Sequence, residues 1–151
     1  MTSFFSHGIL NNMIVGFTGT RSELTEEQIN NLVDFLATTE IKEVHHGDCQ
    51  GADKLFHGAV RMVKGSTTKI VVHPPDIDLM RAFCKGDEIR NPLTYRERNA
   101  MIVEECEILL VFPKANKEEL RSGTWMAARM AKKKNKPYLI FYPDGRREKE
   151  F

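Results

Sequence analysis

At 151 residues the chain has the length of one ordinary domain and can bury a self-sufficient core without disulfide or metal staples. Its 41% hydrophobic and 28% charged residues exclude a disordered chain, and a formal net charge of +1 argues against long-range attraction to duplex nucleic acid. Three cysteines, Cys49, Cys84 and Cys106, lack metal-type pair spacing, so neither a disulfide framework nor a zinc site is expected, and a reducing, cytoplasmic setting fits.

Residues 1–12 read as an N-terminal extension ahead of a domain over residues 13–151. The opening stretch carries neither the basic region nor the long apolar run of a secretory signal, and no later run is long enough to span a bilayer. Short β-branched apolar runs then follow at Met13 to Phe17, Val44 to His46, Lys69 to His73, Ile108 to Phe112 and Tyr138 to Phe141, each a buried strand by pattern.

Helices alternate with these runs. Thr25 and Gln28 form a capping-box pattern, followed by Ile29, Leu32, Val33 and Leu36 on one face. A second helix is expected from about Ala52 to Val63, with Leu55, Ala59, Met62 and Val63 as its apolar stripe and Gly65 as its stop. A third is expected near Tyr95 to Glu105, and a fourth near Gly123 to Lys134, with Pro137 beyond its end and Lys132 to Lys134 complementing its C-terminus. Strand and helix in alternation predict a single Rossmann-like, doubly wound α/β fold, with a mainly parallel sheet of about five strands and helices on both faces. Residues 74–93, with Pro74, Pro75, Gly86 and Pro92, form a long connection that is either a lid or a surface excursion; Arg81, Lys85 and Arg90 are its candidates for facing a ligand.

In such sheets ligands sit beyond the carboxyl ends of the strands, where three glycine-containing stretches fall. Thr18, Gly19, Thr20 and Arg21 follow the first strand and offer hydroxyls, amides and a guanidinium to an anion. Gly47, Asp48, Gly51, Ala52 and Asp53 follow the second; the glycines allow tight turns, and the aspartates either cap the helix or accept from ribose hydroxyls. Ser122, Gly123 and Thr124 open the fourth helix, whose free N–H groups favour an anion. Arg96, Arg98 and Asn99 either supply charge to a phosphate, stack on a base or begin a solvated helix, and Trp125 either stacks on a base or fills the core. Neither G-x-G-x-x-G nor a Walker-type loop occurs. His45, His46 and Cys49 lack a third partner at sensible spacing, so no metal is expected.

Gly16-Phe-Thr-Gly-Thr-Arg21, His46-Gly-Asp-Cys-Gln-Gly-Ala-Asp53, Arg98-Asn99 and Ser122-Gly-Thr124 together resemble the SLOG superfamily, the Rossmann-like group containing DprA, YpsA-like proteins and the cytokinin-activating phosphoribohydrolases. The resemblance implies a nucleotide or nucleotide-derived ligand, held as ligand rather than resident cofactor, and a homo-oligomer; the charge balance demotes nucleic acid as a partner, and the lack of a long apolar run argues against a membrane. The hydrolase branch carries a glutamate three residues after the threonine of its Gly-Thr motif, and Ala127 stands there. Alanine performs no acid–base or nucleophilic chemistry, so the catalytic residues stay unassigned, with Glu97, Glu104 and Asp48 as substitutes to examine. Three functions follow for test: a sensor, carrier or sequestering module for a nucleotide, NAD-derived or cyclic-nucleotide signal; a nucleotide-processing enzyme acting on the N-glycosidic bond; and a DprA-like binder of single strands.

Overall fold

The computed structural model describes residues 12–150, so the expected extension over residues 1–12 lies, but for Asn12, outside the described residues. The strands are β1 (Met13–Gly19), β2 (Ile41–His46), β3 (Lys69–Val72), β4 (Glu88–Ile89), β5 (Ile108–Phe112), β6 (Tyr138–Phe141) and β7 (Arg147–Glu150), and the helices are α1 (Glu26–Thr38), α2 (Ala52–Lys64), α3 (Tyr95–Glu105) and α4 (Gly123–Lys133). They form one α/β sheet in the order β4-β3-β2-β1-β5-β6-β7, parallel throughout except for the β6–β7 pair. Helices α1 and α2 pack together, as do α3 and α4, and each pair covers its own core cluster, so the sheet is doubly wound.

Among the described residues the sheet has seven strands where about five are expected. β4 is two residues long, and β7 reads Arg-Glu-Lys-Glu, with no apolar face to betray it. Only pairing with β3 and β6 makes them strands, and their charge guards the two exposed edges.

Local signals explain the helix starts. Gln28 N–H donates to Thr25 Oγ1 at 3.1 Å while the Gln28 side chain accepts from Thr25 N–H at 3.0 Å. The buried Gln28 amide also donates to the carbonyls of Pro113 and Phe141, both at 2.9 Å, so the cap ties α1 to the C-terminal ends of β5 and β6. Thr25→Ala is expected to cost about 1–2 kcal/mol in denaturant unfolding, since it removes the cap and the 2.8 Å bond to the Pro143 carbonyl.

The expected apolar stripe of α2 packs on the core at Leu55, Ala59 and Val63, but it misses the buried centre and fails at Met62. Ala52, Phe56 and Val60 are buried, Leu55, Ala59 and Val63 flank them, and Met62 is 87% exposed. Phe56 sets the helix rotation because it stacks on Phe17 of β1, with centroids 4.2 Å apart. On α1, Phe35 rather than Val33 completes the buried face for the same reason of fit, its ring meeting Phe141 edge-on.

Candidate functional site

β1 lies between β2, reached through α1, and β5, reached from the far edge, so chain connections leave it in opposite directions. A crevice opens at such a switch point, beyond the strand ends. Here it is a cleft of about 450 Å³ into which three loops and α3 converge.

The first wall is Thr18, Gly19, Thr20 and Arg21. Thr20 is stitched in place by its own N–H to the Phe112 carbonyl and by its carbonyl to Ala52 N–H, both 3.0 Å. A Cβ on Gly19 would lie 2.6 Å from the Ala52 Cβ, so glycine is what lets α2 close against β1. The opposite wall is Ser122, Gly123 and Thr124, with Arg121 and Lys114 beside them. Ser122 caps α4 by accepting from Trp125 N–H at 3.2 Å, and the first helical amides are left for a ligand. Arg98, Asn99 and Tyr95 of α3 close the floor.

The second stretch divides. Gly47 and Asp53 line the cleft, whereas Asp48, Gly51 and Ala52 do not. Asp48 is fully buried and points away: its carboxylate accepts from Arg81 Nε at 2.9 Å and from Cys84 N–H at 2.8 Å. Gly51 is the N-cap of α2, which has no side-chain cap, so neither aspartate serves as the expected helix cap. Ala52 packs beneath Gly19. Asp53 Oδ2 instead accepts from Cys49 N–H at 3.1 Å, tightening the loop before the helix.

Residues 74–93 contribute nothing to the cleft wall. A bridge at Cys49–Arg81 ties them to the loop after β2, and one at Pro75–Leu93 closes the segment on itself; Arg81 is spent on Asp48, and Arg90 on Glu88 and a two-pronged pair with Glu105. Trp125 is buried in the α3–α4 core near Tyr142 and lines no part of the cleft. Sequence reasoning missed Tyr95, Lys114, Glu119 and Arg121; the basic residue directly before Ser122 was the one available signal.

Charge in the cleft is unevenly satisfied. Arg98 is 6% exposed and locked by its bonds to the Gly47 and His73 carbonyls and to Asn99 Oδ1, yet it forms no ion pair among the described residues. Arg21 and Arg121 likewise have no carboxylate partner, and Arg21 lies over the Tyr95 ring at 4.7 Å. The carboxylates that line the cleft are Asp53 and Glu119. Burial pushes the Asp53 carboxyl up to about 6, against the pull of Arg98. Of the substitutes for a catalytic glutamate, Glu97 closes the capping box of α3 on Thr94, Glu104 pairs with Lys134, and Asp48 holds Arg81.

No protein-family model and no curated protein matches its sequence. Among solved structures it is similar to a molybdenum cofactor binding protein from the phototrophic bacterium Rippkaea orientalis, with a TM-score of 0.63 and 15% identity, covering 87% of this chain and 77% of that one. The likeness is one of fold. Among the described residues no helix is long and apolar enough to cross a membrane.

Two side-chain groups outside the cleft have metal-ligating types, His46–His57–Cys84 and His45–His73–Glu105. In the first, His46 Nδ1 accepts from Asp48 N–H at 3.0 Å, so a neutral His46 carries its proton on Nε2, the atom facing His57 at 2.9 Å. That proton occupies the position a metal would need. In the second, the Glu105 carboxylate is engaged on both oxygens by Arg90, a cation at the mouth of the group.

Proposed function

We propose that the cleft binds a nucleotide or nucleotide-derived metabolite through its phosphate, and that residues 13–151 form a SLOG-like module acting as sensor, carrier or sequestering protein. One observation carries this reading: three guanidinium groups, of Arg21, Arg98 and Arg121, line one cavity and none is ion-paired among the described residues. Like charges gathered at one cavity repel one another, and an anionic ligand offsets that repulsion. The hydroxyls of Thr18, Thr20 and Ser122 and the leading amides of α4 add neutral donors of the kind a phosphate accepts from. A protein of similar fold that binds the molybdenum cofactor supports a small-molecule ligand at this architecture.

The test is thermal unfolding of purified protein with AMP, ADP, NAD and cyclic nucleotides. A hundredfold excess over Kd is expected to raise Tm by about 5–10 °C, saturably. Arg21→Met combined with Arg121→Met, at two exposed positions, should abolish the rise while keeping the fold by circular dichroism. A flat response of the wild-type protein to the whole panel would overturn the proposal.

A further inference from the structure

Resting on the nucleotide reading above, we propose that Asp53 and Arg98 form a sugar-reading floor, which selects a ligand with a ribose cis-diol and leaves the phosphate outward, on Arg21, Arg121 and the α4 N-terminus. The cleft is graded from floor to rim. Asp53 and Arg98 are 7% and 6% exposed, whereas Arg21 and Arg121 are exposed. A phosphate seated on Arg98 would lie beside the Asp53 carboxylate and be repelled by it, so the deepest position belongs to a neutral group. That group must accept from a fixed guanidinium and donate to a carboxylate.

Both floor residues hold their positions without a ligand. Arg98 is fastened by the Gly47 and His73 carbonyls and by Asn99, and Asp53 by Cys49 N–H on one oxygen, leaving its other oxygen with no hydrogen bond among the described residues. A vicinal diol meets this donor–acceptor pair, because each hydroxyl both donates and accepts. A base is a poorer occupant. The aromatic rings lining the cleft are engaged already, Phe17 by Phe56 and Phe112, and Tyr95 by Arg21 and Arg98.

Recognition of the diol should depend on pH. The charged or titratable groups interacting with Asp53 are Arg98 from α3, Arg21 from the turn after β1, Cys49 and Asp48 from the loop before α2, and Cys84 from the 74–93 segment. With burial holding the carboxyl at about 6, Asp53 is a carboxylate at pH 8 and mostly a neutral acid at pH 5.

The experiment measures affinity by calorimetry for AMP and 2′,3′-dideoxy-AMP, on wild type and Asp53→Asn, at pH 8 and pH 5. Both ligands carry the same phosphate, so the affinity ratio cancels its own titration. The expected wild-type preference for AMP is about ten- to a hundredfold at pH 8, shrinking severalfold at pH 5. Asp53→Asn keeps an acceptor for Cys49 N–H and should bind both nucleotides alike at either pH. Equal wild-type affinity for the two ligands, or a preference that survives in Asp53→Asn, overturns the sugar floor while leaving phosphate binding standing. Failure of either nucleotide to bind wild type removes the nucleotide reading itself, and this inference with it.

Discussion

Gly51→Ala is expected to lower the unfolding free energy by about 3 kcal/mol or more, and to weaken ligand binding through a residue that does not line the cleft. Gly51 sits at φ 91°, a conformation an L side chain adopts only under strain of about 1–3 kcal/mol. The added Cβ would also meet backbone, lying 2.5 Å from the Arg21 carbonyl carbon and 2.8 Å from its Cα. Backbone cannot swing aside as a flexible side chain does, so either α2 or the Thr20–Arg21 turn must move. Because Ala52 N–H donates to the Thr20 carbonyl, the displacement passes directly to the wall that carries Arg21. Urea titration gives the stability loss, and the nucleotide-induced rise in Tm should fall in parallel. A variant with unchanged stability would show that the turn and the helix start do not press on each other as described.

Acidification from pH 7.5 to 5 is expected to destabilise the free protein, with buried histidines as the cause. His73 is 2% exposed, and its folded-state pKa is lowered from 6.5 to about 3, first by burial and then by the charges of His45, Arg90 and Arg98. His46, fully buried, is lowered well below 6.5 by the same leading cause. A group with depressed folded pKa binds fewer protons folded than unfolded, so its stability contribution is complete above 6.5 and is lost as pH falls toward the folded value. For His73 alone the loss at pH 5 is about 2 kcal/mol. Asp53 opposes it, since a carboxyl raised from 3.8 to about 6 takes up its proton in the folded state first and adds about 1 kcal/mol over the same interval. Denaturant unfolding at the two pH values should therefore show a net loss, larger in Asp53→Asn and smaller in His73→Gln. A rise in wild-type stability on acidification would contradict the assignment.

Much of the framework was legible from local pattern. The five β-branched runs, the Thr25–Gln28 capping box, the Gly65 stop and the bounds of α3 all appear in the structure, because strand burial, caps and chain breakers act over a few residues. The glycine loops were legible as turns for the same reason, and members of all three face the cleft.

What remained hidden needed contacts between distant segments. Asp48 and Asp53 look equivalent in sequence, yet Asp48, in the left-handed region at φ 58°, turns inward to an arginine in the 74–93 excursion, while Asp53 faces the cavity. The rotation of α2 depended on a ring on β1, and the strand character of β4 and β7 on neighbours that pair with them. The sequence by itself determined an alternating α/β chain with anion-competent turns. Only the tertiary structure decided which side chains of those turns share a cavity and which cations there lack partners. The physical reason is that burial and charge pairing are properties of space, set by residues that are tens of positions apart along the chain.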